Sequence, residues 1–181
     1  LKGGDLEILE IAALFHDTGF ISQYEGHEVV SHQIAESFLK EQGYDEKRLA
    51  AVLRCIDVTK MGREPEDLVE KVMKDADLIN LGRPEYLDLL ANLRQEWEVM
   101  RGEVHSDKEW YELNRSFLKK HQYYTAYADE HFGPQVEENQ KALKKLAKEE
   151  KFIMKKSKKP AVSSITGSRS AVSYTHLRAH E

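Results

Sequence analysis

The stretch Ala12-Ala13-Leu14-Phe15-His16-Asp17-Thr18-Gly19 places a histidine–aspartate pair at the end of an apolar helix. Eight of the ten residues from 6 to 15 are apolar, which predicts a helix buried nearly all round. Burial removes hydration from an imidazole and a carboxylate, and a metal ion compensates that loss because it binds both groups. The alternative is a polar helix C-terminus, in which His16 suits the helix dipole and Thr-Gly ends the helix.

The spacing of apolar residues along the chain predicts an all-α fold, a bundle of about seven helices. We expect one domain over residues 1–157 and a disordered tail over 158–181. The last run, 172–181, looks like the translation of a transposon-type sequencing adapter, and we assign it no role. The predicted helices cover residues 5–17, 26–42, 46–58, 65–81, 84–101, 107–121 and 134–156.

Charge and composition narrow the classes of function. The 181 residues carry a net charge of −5, although residues 141–159 hold nine lysines and only two glutamates. The remaining acidic body is a poor partner for duplex nucleic acid. The lysine-rich stretch is a solvated helix end or, alternatively, a surface for an anionic partner. We expect no membrane span, and the single Cys55 fits a reducing, cytoplasmic setting.

A second histidine is a candidate ligand on the next predicted helix. His27 stands at its start, one short loop after His16, and shares a face with the apolar stripe Val30, Ile34 and Phe38. We therefore expect His27 to point inward, with a capping or surface imidazole as the alternative. His32 lies about 140° away around the same helix, where we expect a structural or exposed side chain.

The fourth predicted helix carries Asp75 and Asp77 at the flanks of its apolar face. Spacing allows one of the two carboxylates to look into the core but does not choose between them. The alternative is an ordinary polar flank of an amphipathic helix. The residues expected to face inward are Leu68, Val69, Val72, Met73, Ala76 and Ile79.

The order of these residues resembles the HD-domain superfamily of metal-dependent phosphohydrolases, which are all-α and named for the His-Asp pair. Segment 13–19 matches the signature helix end, 26–28 matches a further histidine, and 74–78 resembles the distal motif. The likeness, closest to uncharacterised bacterial HD proteins, covers roughly residues 5–150. It implies one divalent ion or more, and places Asp75 behind the ligands as their support. The implied ligands are His16, Asp17 and Asp77, with His27 as a fourth or second-metal ligand.

The family pattern also has an earlier histidine, which should precede His16 by a helix or more. The chain begins at Leu1 without it, so we expect N-terminal sequence to be missing and this piece to be impaired in metal binding. A stringent-response alarmone hydrolase is disfavoured. Those enzymes carry an acidic pair shortly after His-Asp, whereas residues 19–22 here are Gly-Phe-Ile-Ser.

The resemblance implies hydrolysis of a phosphoester of a nucleotide or similar small molecule, with Asp17 and His27 as candidate catalytic residues. Mixed nitrogen and oxygen donors favour Mn, Fe, Co, Ni or Zn, with Mg retained as a less suited ion. Lys60 and Arg63 are candidates for the substrate phosphate, and ordinary exposed loop cations are the alternative. A catalytically inactive regulatory HD domain is the competing functional hypothesis.

Overall fold

The structure, a computed structural model, describes residues 1–157; the predicted tail, with its adapter-like run, lies outside the described residues. Within 1–157 the chain forms seven α-helices and no β-strand, which confirms the all-α prediction. Two short 3-10 helices, Thr18–Ile21 and Ile79–Gly82, connect them. The α-helices are α1 (Asp5–Phe15), α2 (His27–Glu41), α3 (Glu46–Thr59), α4 (Leu68–Asp77), α5 (Tyr86–Arg101), α6 (Asp107–Lys120) and α7 (Ala126–Ser157).

Three predicted helix boundaries differ from the observed ones, and local capping explains the two that are helix starts. The helix predicted over 65–81 begins only at Leu68, because the Asp67 side chain accepts the Glu70 N–H at 2.9 Å and caps it. It ends at Asp77, and the chain continues as a 3-10 helix. The helix predicted over 134–156 starts eight residues earlier, where Thr125 caps α7 by accepting the Ala128 N–H.

The first helix is less buried than its composition predicts. Only Ile8 and Ala12 of α1 are buried, while Leu6 is 62% and Leu14 77% exposed. The helix packs on α2, α3 and α4 from one side, so its opposite apolar face has no neighbour among the described residues. The prediction of a helix buried nearly all round is therefore wrong.

The buried face of α2 is rotated from the predicted stripe. Ser31, Ala35 and Leu39 are the buried residues, whereas Phe38 is about half exposed. Each buried position is one residue later than the predicted one, which corresponds to about 100° of helix rotation. The small Ser31 side chain lets the first turn of α2 approach the 3-10 helix at Thr18–Ile21, and this approach sets the rotation.

The buried face of α4 also differs from the prediction, because much of it is charged. Glu70, Met73, Lys74 and Asp75 are buried, while Leu68 is half exposed and Ala76 is exposed. The charged groups are tolerated because each has a hydrogen-bond partner; Glu70 accepts from Arg54 Nε at 3.0 Å, for example.

The buried apolar side chains form two clusters that meet at the end of α4. The first joins α1 to α4 and includes Cys55, whose thiol pKa burial raises to about 12. The second joins α5, α6 and α7 with the 3-10 helix at Ile79–Gly82 around Trp110 and Leu118. None of the helices within 1–157 combines the length and apolar character needed to cross a bilayer.

Asp75 links the two apolar clusters through hydrogen bonds. Its buried carboxylate accepts the N–H of Tyr124 at 2.8 Å, the N–H of Thr125 at 2.8 Å and the Thr125 hydroxyl at 2.7 Å. These donors lie directly before α7, so the carboxylate sits at the positive end of that helix. Asp75 thus joins the end of α4 to the start of α7.

Replacement of Asp75 by asparagine should destabilise the fold. The introduced side-chain amide would present N–H groups to donors that now face a carboxylate, at a cost of about 2–4 kcal/mol. Urea unfolding followed by circular dichroism measures this cost, with the exposed Asp88→Asn as the matched control. Equal midpoints for the two variants would contradict the tethering role of Asp75.

Candidate metal centre

The end of α1 brings His16 and Asp17 onto one side of the chain. His16 keeps helical backbone angles and its N–H still bonds Ala12, whereas Asp17 leaves the helix at φ −105° and ψ 1°. Neighbouring side chains on a continuous helix diverge by about 100°, and this change of backbone direction lets the two converge. The His16 Nε2 atom lies 3.3 Å from Asp17 Oδ2.

His27, the first residue of α2, reaches the same carboxylate from the other side. Its Nε2 atom lies 3.3 Å from Asp17 Oδ1, so Asp17 stands between the two imidazoles. The Phe20 ring stacks on the His27 ring with centroids 3.6 Å apart and an interplanar angle of 19°. This stacking holds the imidazole plane in place.

Both imidazoles are oriented by a backbone carbonyl three residues earlier. His16 Nδ1 lies 2.9 Å from the Ala13 oxygen, and His27 Nδ1 lies 3.1 Å from the Tyr24 oxygen. A proton on each Nδ1 satisfies these contacts and leaves both Nε2 lone pairs directed at the carboxylates. Histidines that bind metals are commonly held in this way.

Asp77, the last residue of α4, completes a group that we call the ligand cluster: His16, Asp17, His27 and Asp77. Its Oδ1 atom lies 3.5 Å from His16 Nε2. Two donors on a tetrahedral ion, each about 2.1 Å from it, are roughly 3.4 Å apart, so the measured spacings suit neighbouring ligands. Nevertheless, no three His, Cys, Asp or Glu side chains of the described residues are already arranged around one ion. Asp17, 56% exposed, has the most freedom to close the set.

The carboxylates favour a protonated His16 when no metal is bound. The hydrogen bond from His16 to Asp77 raises the imidazole pKa from 6.5 to about 8, against the opposing effect of burial. Protonation of His16 therefore stabilises the folded protein below about pH 6.5, and this contribution is lost as the pH rises through 8.

Asp75 does not occupy the position that the resemblance implied. Both of its oxygens accept hydrogen bonds from the segment before α7, so Asp75 does not support the ligands as the resemblance implied. Helix geometry gives the reason. Residues two apart on a helix point about 200° apart, so Asp75 and Asp77 face nearly opposite sides of α4. Asp75 is joined to the ligand cluster through the α4 backbone, which carries both Asp75 and Asp77.

Lys60 and Arg63, the two cations expected at the substrate phosphate, lie in different places. Lys60 lines a cleft that also contains His27. Arg63 lines a separate recess, and its guanidinium lies 3.6 Å from Asp57 Oδ2. The same Asp57 bonds His32 Nδ1 at 2.8 Å through its other oxygen. Arg63 therefore does not line the cleft that Lys60 and His27 share.

Sequence reasoning missed Lys74, a buried cation one helical turn before Asp77. Its ammonium donates to the carbonyl oxygens of Val58 at 2.6 Å and Lys60 at 3.0 Å. Burial lowers the pKa of Lys74, and the nearby Asp77 charge opposes this effect. Lys74 thus caps the C-terminal end of α3 and fixes the backbone position from which the Lys60 side chain extends. The sequence feature that could have indicated Lys74 is its position three residues before Asp77, which places both on neighbouring turns of one helix.

The glycine after His-Asp-Thr is required by close packing. Gly19 is buried, and its N–H donates to Ser31 Oγ at 2.8 Å. A β-carbon at this position would lie 2.0 Å from the His27 carbonyl oxygen, which no side chain can accommodate. Gly19 therefore lets the 3-10 helix lie directly on the first turn of α2.

The domain is all-α and brings a His-Asp pair, a further histidine and a distal aspartate together at one point. These residue types are the ones expected of an HD site. Residues 1–80 match the family model described as HD domain, and this match supports membership of that segment in the HD-domain superfamily. The superfamily comprises metal-dependent phosphohydrolases of small phosphoesters, generally binds divalent metals, and includes inactive members. No curated protein and no solved structure matches the chain.

Substitution of Gly19 by alanine should disrupt the ligand cluster. The added methyl group forces the 3-10 helix away from α2, at a cost of about 3 kcal/mol or more. Thermal unfolding and zinc titration should both show a loss. Gly3→Ala is the matched control, because nothing lies within 4 Å of a β-carbon at Gly3. A stable Gly19→Ala protein with normal zinc affinity would refute this packing argument.

The contact between His16 and Asp77 can be measured without a metal. NMR titration of the chelator-treated protein should give a His16 pKa near 8, and Asp77→Asn should move it back toward 6.5. Asp57→Asn, in the separate pair with His32, is the control that leaves His16 unchanged. An unaltered His16 midpoint in Asp77→Asn would show that the two side chains do not meet.

Proposed function

We propose that the protein hydrolyses a phosphoester of a nucleotide or similar small molecule, using a divalent ion held by the ligand cluster. The observation that carries the proposal is the meeting of two imidazole Nε2 atoms and two carboxylates at spacings of 3.3 to 3.5 Å. The four side chains come from helix ends and turns of different elements, and all four lie within the matched segment.

His16, Asp17 and Asp77 would hold the ion, and His27 would act as a further ligand or hold a second ion. A divalent ion, when bound, supplies Lewis acidity that lowers the pKa of water and polarises a phosphoryl group. The nitrogen and oxygen donors suit Mn, Fe, Co, Ni or Zn better than Mg. Because metal binding requires a neutral His16, affinity should rise with pH up to about 8.

Asp17 is the residue of the ligand cluster best placed to take part in proton transfer. Its two oxygens face different imidazoles, and its side chain is the most exposed of the cluster. A carboxylate in this position can accept a hydrogen bond from an attacking water and orient it toward substrate. His27, stacked on Phe20 at the edge of the cleft, would position the phosphoryl oxygens from the side.

Lys60 is the proposed phosphate contact among the two cations considered from sequence. Its side chain lines the same cleft as His27, and Lys74 fixes its backbone. Arg63 is engaged by Asp57 in the separate recess, so we assign it no contact with the same phosphate.

An inactive regulatory HD domain is the second candidate, and one observation favours it. The described residues contain no three side chains already disposed around one ion. A domain that had lost its chemistry would bind divalent ions weakly and hydrolyse nothing, while it kept the fold.

Hydrolysis by the protein should separate the two candidates. We expect phosphate release from nucleotides in the presence of Mn²⁺, Co²⁺ or Ni²⁺ and its abolition by chelator. His16→Ala and Asp77→Ala should each lower kcat/KM by roughly 100-fold or more, because each removes a ligand. Phosphate release measured across these ions and a nucleotide panel provides the test.

The matched control is His32→Gln, which alters the other His–Asp pair between α2 and α3. Its activity should stay within about two-fold of the parent, since His32 lies outside the ligand cluster. Absence of hydrolysis with every ion and substrate, in a folded protein, would favour the regulatory candidate. Equal losses in His32→Gln and His16→Ala would argue against a local role for His16.

A further inference from the structure

A cleft of about 390 Å³ begins at His27 and extends away from the ligand cluster toward the end of α5. Phe20, Tyr24, Lys60 and Arg101 line it together with His27. Pockets for small molecules span about 300–1,000 Å³, so this cleft has room for more than a single phosphate group. We call it the α5 cleft.

Arg101, the last residue of α5, is held in a fixed position in this cleft. Its guanidinium lies 4.4 Å from the centre of the Trp97 ring and 5.3 Å from the centre of the Tyr24 ring. Tyr24 is itself tied to α5, because its hydroxyl donates to Glu96 Oε1 at 2.6 Å. Two aromatic faces thus orient the guanidinium and leave its N–H donors available at the edge.

The acidic partners of Arg101 are exposed and replaceable. Glu25 Oε1 lies 3.3 Å from the guanidinium, but the Glu25 side chain is 75% exposed. Glu103 lies 4.0 Å away and is also exposed. Exposed ion pairs of this kind contribute little, so a ligand anion can displace them.

Glu28, the other carboxylate that lines the cleft, acts on groups other than Arg101. Glu28 is mostly buried, 3.9 Å from His27 Nδ1, and its charge acts on the buried Lys74. Lys60 and Arg101 are therefore the cations of the α5 cleft that a ligand can reach, one at the end of α3 and one at the end of α5.

We propose that Arg101 is a specificity-determining residue that binds a second anionic group of the substrate. The substrate class is then a di- or triphosphate chain, in preference to a monophosphate. Lys60 would contact one phosphate and Arg101 a further one beyond the phosphate that is hydrolysed. The Arg101 guanidinium suits such a contact because it binds two oxygens at once. The assignment of these phosphates to a substrate rests on the proposed function.

The test uses Trp97 as a reporter and needs neither metal nor turnover. Tryptophan fluorescence of the chelator-treated chain is titrated with inorganic tripolyphosphate, pyrophosphate and orthophosphate. We expect saturable changes with the first two and at least roughly ten-fold weaker binding of orthophosphate. Arg101→Met should raise the Kd for tripolyphosphate by about ten-fold or more.

Arg48→Met is the matched control. Arg48 also lies over a tyrosine ring, 5.7 Å from Tyr44, and also pairs with an exposed glutamate, Glu7 at 2.7 Å. It lies at the start of α3 and does not line the α5 cleft. Tripolyphosphate binding should be the same in Arg48→Met and in the parent protein.

A second variant gains affinity, which misfolding cannot imitate. Glu25→Gln removes the nearer competing carboxylate and should tighten tripolyphosphate binding by roughly three-fold or more. Unchanged binding in Glu25→Gln, or equal binding in Arg101→Met and Arg48→Met, would overturn the assignment. Tripolyphosphate binding without any hydrolysis by the intact protein would refute only the proposed function. Hydrolysis without selective polyphosphate binding would refute only the role of Arg101.

Discussion

Direct contact between the backbone of Gly19 and the first turn of α2 determines where the ligand cluster forms. The Gly19 N–H bonds Ser31, and the space where a β-carbon would stand is filled by the His27 carbonyl. This contact places the His16–Asp17 turn beside His27, so that one carboxylate lies between two imidazoles. The imidazoles converge because two backbones can touch where the chain has no side chain.

The position of Asp77 depends on the charged face of α4. Glu70 bonds Arg54 of α3, Lys74 bonds carbonyls at the end of α3, and Asp75 bonds the start of α7. Buried charges of this kind contribute little net stability, but each one is costly to leave unpaired. Rotation of α4 would break all three sets of bonds. The charges therefore fix the rotation of the helix, and this rotation directs Asp77 at His16.

Sequence reasoning was most successful where the signal was local. The helices follow from periodicity, and the likeness of residues 1–80 to the HD superfamily follows from the order of His16, Asp17, His27 and Asp77. Periodicity could not show which apolar faces have neighbours, so the burial of α1 and the face of α2 were predicted wrongly. The bonds of Lys74 to the end of α3 and of Asp75 to the start of α7 join residues far apart in the chain, and no spacing rule reveals such contacts.

The opposed directions of Asp75 and Asp77 also limit how this segment can change its length. Insertion or deletion of one residue between them would turn one carboxylate by about 100° relative to the other. Whichever register the helix adopted, it would then lose either the hydrogen bonds of Asp75 to the start of α7 or the contact of Asp77 with His16. The intervening Ala76 is exposed and makes neither contact, so the identity of that residue is less constrained than its presence. Length, more than composition, is what this short segment has to preserve.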